Sequence, residues 1–132
     1  RVMGKETSSS SDSSRAGTPV YLAPEALQGA PTTHKVDIYS FAIICWEMLT
    51  GQQAWVNLDY KQMVAAVLRD RRRPPFPVEI GKEWRALIDS CWAQDPNERP
   101  TFTSIVVSLS EMGAPKPARQ GKSTPFKNVE LV

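Results

Sequence analysis

Apolar positions recur along this 132-residue chain with helical spacing in four places and with strand spacing in none. The densest stretch comes first. From Val36 to Leu49, eleven of fourteen residues are apolar, the exceptions being Asp37, Ser40 and Glu47. The helix predicted from about Lys35 to Leu49 is therefore apolar on nearly every side and belongs in the middle of a core. Gly51 follows where a helix commonly ends on a left-handed residue. A second helix begins after Asn57 or Asp59, either of which can cap it. Its Tyr60, Met63, Val64, Val67 and Leu68 fall at the i, i+3, i+4, i+7, i+8 positions of one apolar face. Trp84, Leu87, Ile88, Cys91 and Trp92 repeat that spacing in a third helix. Ile105, Val106, Leu109 and Met112 do so in a fourth, which starts near Thr101 or Thr103. Pro24 suits the first turn of a short helix through Glu25 and Leu27, whereas Pro19 and Pro24 together forbid a regular helix across both. The pattern describes a mainly α chain with no internal repeat.

Between these elements the composition changes sharply. Thr7 to Ser14 read T-S-S-S-S-D-S-S, with no apolar residue to offset the entropy of ordering, so a mobile segment is expected over 1–16. Arg71 to Pro77 read R-R-R-P-P-F-P, and the three prolines enforce an extended connector. Arg69 and Arg71 to Arg73 could serve as a nuclear-localisation or nucleic-acid patch. A solvated connector is the simpler reading. Beyond Met112 periodicity ends, and residues 113–132 read as a disordered tail.

Charge and composition narrow the chemistry. A net charge of +2 gives no footing for nucleic acid or an anionic membrane. Cys45 and Cys91 sit in apolar helical stretches, outside any C-x-x-C pair, and with the single His34 they make no metal-ligand set. They read as buried thiols of a reducing compartment. The longest apolar stretch is shorter than a membrane span and carries Asp37 and Glu47.

Three segments, in order, carry a resemblance. G-T-P-V-Y-L-A-P-E-A-L (Gly17 to Leu27) resembles the end of a protein-kinase activation segment, closing in A-P-E. V-D-I-Y-S-F-A-I-I-C-W-E-M-L-T-G (Val36 to Gly51) resembles the central helix of the kinase C-terminal lobe. C-W-A-Q-D-P-N-E-R-P-T-F (Cys91 to Phe102) is similar to the signature around that lobe's last arginine. D-x-Y-S-F and C-W-x-x-D-P-x-x-R-P-T-F resemble both tyrosine kinases and tyrosine-kinase-like serine/threonine kinases, and Gly17-Thr18-Pro19 favours the serine/threonine side. The fold implied is the helical C-terminal lobe of a protein-kinase-like domain over 17–112, without the N-terminal β lobe.

The resemblance also assigns residues. Glu25 and Arg99 would form a buried ion pair tying the end of the activation segment to the helical lobe, a structural role that suits the bidentate guanidinium fork. Thr18, Pro19, Val20 and Tyr21 would contribute to recognition of the peptide substrate. Asp37 would anchor the catalytic loop, or else serve only as an acidic residue at a helix N-terminus. Ser13 and Ser14, in the hydroxyl-rich run, occupy the place of activating phosphosites; a polar linker that is never specifically modified is the other reading.

What the sequence lacks matters equally. Its seven glycines never fall two apart, so G-x-G-x-x-G is impossible, and neither H-R-D nor D-F-G occurs. Family spacing implies that Arg1 falls just after D-F-G, which makes the chain a truncated piece or partial gene model, or else a genuinely short protein. A full-length parent would transfer the γ-phosphoryl of ATP, with Mg²⁺, to serine or threonine of protein substrates, under an upstream activating kinase. The residues here would supply no catalytic base, ATP ligand or metal ligand. The alternative is a non-catalytic helical interaction module or pseudokinase remnant. The setting implied is cytoplasmic, with room for membrane attachment through upstream segments.

Overall fold

The computed structural model describes residues 19–77 and 79–113. It opens on a 3₁₀ turn, Pro19–Tyr21, followed by α1 (Pro24–Leu27), α2 (Lys35–Thr50), α3 (Tyr60–Leu68) and α4 (Lys82–Cys91). A second 3₁₀ turn, Pro96–Glu98, leads into α5 (Phe102–Gly113). No strand occurs among the described residues. The mainly α architecture expected from periodicity, and the helical lobe that the resemblance implies, are what these residues form. The segments 1–16 and 114–132, with Ser13, Ser14 and Thr18, lie outside the described residues.

Local chemistry sets the helix ends. Pro24 opens α1 at its first turn. Gly51 closes α2 at φ 67°, a left-handed conformation that a side chain would oppose. Asp59, rather than Asn57, caps α3. Its Oδ1 accepts from the Gln62 N–H at 2.8 Å, while the Asp59 N–H donates to Gln62 Oε1 at 3.0 Å, completing a capping box. At the head of α5, Thr101 Oγ1 accepts from the Ser104 N–H at 3.1 Å.

The helix α2 is the hub. It packs on α4 and on both 3₁₀ turns, α1 meets α3, and α4 meets α5. Ile38, Tyr39, Ala42, Ile43, Cys45 and Trp46 of α2 are buried, and Met63, Val67, Ile88, Cys91, Trp92 and Ile105 join them in one core. Both cysteines are buried free thiols, and burial pushes the Cys91 thiol up to about 11. Such thiols carry little thiolate at neutral pH and are poor nucleophiles.

The structure corrects two expectations. First, α2 is not covered on every side. Asp37, Phe41, Ile44 and Met48 share one face by their spacing. Met48 is 71% exposed and Ile44 46%. Phe41 meets Phe102 of α5 edge to face at 6.2 Å, and Phe102 is itself exposed, so an apolar stripe runs across two helices. No element among the described residues packs over it. Second, Tyr60 and Val106, assigned to apolar faces, are exposed. Tyr60 is the first residue of α3, ahead of the turn that meets the core, and only Ile105 of α5 is fully covered.

An exposed stripe of this kind promotes association. The double variant Ile44→Lys/Met48→Lys is expected to lower concentration-dependent self-association in sedimentation velocity while preserving the far-UV helical signal. Removing the α3 cap with Asp59→Ala is expected to cost about 1 kcal/mol, read as a shifted urea midpoint.

Candidate functional site

The loop ahead of α2 is held by one charged pair. Arg99 follows the Pro96–Glu98 turn with extended backbone, which sends its side chain inward beneath α1 and the start of α2. It is 2% exposed, the one charged residue in the buried class among the described residues. Glu25, at the first turn of α1, closes on it. Arg99 Nη1 donates to Glu25 Oε1 at 2.6 Å and Nη2 to Oε2 at 2.9 Å, a bidentate fork.

A buried guanidinium is tolerable only when its N–H groups find acceptors. Here all five do. Besides the two bonds to Glu25, Nε donates to Ala93 O at 2.9 Å, Nη1 to Lys35 O at 3.0 Å and Nη2 to Gln94 O at 3.5 Å. The backbone answers in turn, since Lys35 Nζ donates to Arg99 O at 2.5 Å and Pro100 O at 3.2 Å. One side chain thus joins α1, the N-terminus of α2 and the turn after α4. Burial alone pushes the Glu25 carboxyl up. Hydrogen bonds from Arg99 and a backbone N–H, together with the charges of Arg99 and Arg73, outweigh it and hold Glu25 below its ordinary value.

The loop that this pair anchors faces α2. Ser40 Oγ donates to Tyr21 O at 2.8 Å, and the Leu22 N–H closes the 3₁₀ turn on Pro19 O at 3.1 Å. Pro19, Val20 and Tyr21 are half-buried. The nearby Glu47 carboxylate, together with burial, pushes the Tyr21 phenol above its usual range. Among the predicted site residues, the structure therefore brings Glu25 to Arg99 and sets Pro19, Val20 and Tyr21 against α2. Asp37 stands apart. It is exposed in the first turn of α2, heads the apolar stripe, and its carboxylate makes no hydrogen bond among the described residues.

Sequence reasoning missed Arg73. Arg71 and Arg72 are exposed, as a solvated connector requires, but Arg73 is drawn inward and its neighbour Pro74 is buried. Arg71 adopts φ 51°, which reverses the chain beyond α3 and lets the Arg72 N–H donate to Ala66 O at 2.8 Å. Arg73 then reaches Trp92 O through Nε and Gln94 Oε1 through Nη2, both at 2.8 Å. Its guanidinium lies 5.1 Å from the Tyr39 ring centre, and that of Arg99 lies 5.3 Å from the same ring. Three consecutive arginines concealed this; the only local signal was the proline that follows the third.

Breaking the fork leaves a buried cation alone. Glu25→Gln is expected to destabilise the chain by about 3–5 kcal/mol at neutral pH, measured by urea unfolding. Because the folded pKa of Glu25 lies below its unfolded value, its contribution is complete above the ordinary carboxylate range. It is lost as pH falls through the lower, folded value. The urea midpoint of the native chain should decline over that acid window, and Glu25→Gln should flatten the decline.

The same residues have counterparts elsewhere. A family model described as protein tyrosine and serine/threonine kinase matches residues 1–109. Dual specificity protein kinase shkD of Dictyostelium discoideum is 38% identical over 109 residues, which is 82% of this chain and 15% of that protein. Serine/threonine-protein kinase CTR1 of Arabidopsis thaliana is 43% identical over 96 residues, 73% of this chain and 12% of that protein. Probable serine/threonine-protein kinase drkC of Dictyostelium discoideum is 38% identical over 96 residues, 73% of this chain and 13% of its own length. The chain spans less than a fifth of each of these relatives. On this match the chain belongs to the protein tyrosine and serine/threonine kinase family, and within it resembles the tyrosine-kinase-like serine/threonine group.

Proposed function

We propose that the parent of this chain transfers the γ-phosphoryl group of ATP to serine or threonine side chains of proteins, and that residues 17–112 hold its substrate-facing helical lobe. The observation that carries the reading is the Glu25–Arg99 fork. It ties α1, which follows the Pro19–Tyr21 loop, to the start of α2 and the turn after α4 through a fully satisfied guanidinium. A loop held this firmly can present a constant surface to a peptide, because ordering it costs nothing at the moment of binding. Thr18, Pro19, Val20 and Tyr21 are the residues proposed to meet the substrate. The relatives named as serine/threonine kinases support that acceptor class.

Asp37 is proposed to anchor the catalytic loop. Its place at the head of the exposed stripe Phe41, Ile44 and Met48 supports this, since a further part of the domain packing there would cover both the carboxylate and the apolar face. Ser13 and Ser14 are proposed sites for an activating kinase. Phosphate there would add negative charge to the segment that leads into Gly17.

The residues present do not fit ATP and Mg²⁺. The sequence has no G-x-G-x-x-G, H-R-D or D-F-G, and no group of three His, Cys, Asp or Glu among the described residues is arranged to hold a metal ion. Phosphoryl transfer by the parent therefore draws on other residues. No helix among the described residues is long and apolar enough to cross a membrane. An intracellular setting agrees with the two buried thiols.

Purified residues 1–132, given Mg²⁺-ATP and serine-, threonine- and tyrosine-containing peptides, are expected to transfer no phosphate. A chain extended upstream through D-F-G and H-R-D motifs is expected to label serine or threonine but not tyrosine. Reading the coding sequence ahead of Arg1 decides the premise. Intact motifs there favour the enzyme, degraded ones a pseudokinase, and a start codon a non-catalytic module.

A further inference from the structure

Arg73 and Arg99 both grip the turn 92–94, and they share Gln94. Arg73 takes Trp92 O and the Gln94 side chain, while Arg99 takes Ala93 O and Gln94 O. Gln94 also donates through Nε2 to Val67 O at 3.3 Å, which ties this turn to α3. Both guanidinium groups sit over the ring of Tyr39, whose hydroxyl is buried without a hydrogen-bond partner. The Tyr39 ring offers π density to two cations at once.

Placing a second cation beside Arg99 is unfavourable in itself. Burial, and then the charge of Arg99, disfavour the charged form of Arg73. The arrangement persists because Trp92 O, Gln94 Oε1 and Arg72 O accept from Arg73 at 2.8 Å each and the Tyr39 ring faces it. A solvated connector would need none of these contacts. Two of them, to Trp92 O and Gln94 Oε1, fall on the turn that supplies acceptors to Arg99.

We infer that Arg73 is a positioning residue for the Glu25–Arg99 pair. By clamping residues 92–94 it fixes where Ala93 O and Gln94 O stand, and those two carbonyls set the plane in which Arg99 presents its fork to Glu25. The connector between α3 and α4 is thereby coupled to the loop ahead of α2. The assignment of that loop to substrate recognition rests on the proposed function; the clamp rests on geometry alone.

The test follows the Glu25 carboxylate directly by ¹³C NMR titration in the full chain, alongside a double-variant cycle by urea unfolding. Arg73→Ala is expected to move the Glu25 midpoint up toward the ordinary carboxylate value. Arg73→Lys, which keeps the charge but loses the planar fork, should restore only part of that shift. Gln94→Ala, which keeps both arginines, should also raise the midpoint. In the cycle, Arg73→Ala with Glu25→Gln should reduce the folding constant by about fivefold less than the product of the two single losses. Multiplicative losses with an unmoved Glu25 midpoint would reduce Arg73 to ordinary packing. Full restoration by Arg73→Lys would reduce it to a bare charge; either result overturns the inference. If Arg73→Ala does not fold, Arg73→Lys and Gln94→Ala carry the same readout. A parent without kinase activity would leave these titrations unchanged, so the clamp and the proposed function fail separately.

Discussion

A guanidinium without exposed side-chain surface, with all five N–H groups engaged, is the constraint around which this chain is arranged. Burying an arginine means giving up its hydration, and the compensation must be nearly complete for the fold to tolerate it. In this fold α1, the start of α2 and the turn after α4 present the five acceptors together. The charge thus specifies geometry more than it adds stability. Were the pair replaced by apolar residues of similar volume, the helices could still collapse, and the Pro19–Tyr21 loop would be placed only by the Ser40–Tyr21 O bond and its packing on α2.

That arrangement links loop and core in both directions. Lys35 donates back to Arg99 O and Pro100 O, and Ser40 holds Tyr21 O, so the first two turns of α2 are bonded to segments on either side in sequence. Tyr39, between those contacts, faces both arginines. The polar network lies at the N-terminal end of a helix that is otherwise apolar, and the apolar remainder of α2 makes the core with α4 and α3. A rigid anchor at one end and a packed core at the other leave the loop little freedom to rearrange.

The opposite face of this economy is the stripe Phe41, Ile44 and Met48, continued by Phe102. Phe41 finds a partner in Phe102, while Ile44 and Met48 stay exposed, so among the described residues the hub helix keeps an apolar face that no neighbour covers. Asp37, at the head of that stripe, makes no side-chain hydrogen bond among the described residues, whereas Glu25, a carboxylate of the same charge, accepts two from Arg99.

Much of this could be read from residue order alone. The four periodic helices, the Pro24 start of α1, the Gly51 end of α2 and the interior place of Cys45, Cys91 and Trp46 follow from spacing and local conformational preference, which operate within a few residues. The kinase motifs also named Glu25 and Arg99, though pattern matching supplied that pair and periodicity did not. The choice between Asn57 and Asp59 as cap of α3 was also local: Gln62, three residues beyond Asp59, completes a capping box that spacing of the apolar face did not weigh. Tertiary structure alone decided that Ile44 and Met48 face outward, because helical periodicity reports that a residue is apolar and says nothing of whether a neighbour covers it. Above all it separated Arg73 from Arg71 and Arg72. Three identical residues in a row have identical local preferences, and their fates diverge only when the reversal at Arg71 brings the third within reach of carbonyls that lie some twenty positions further along the chain.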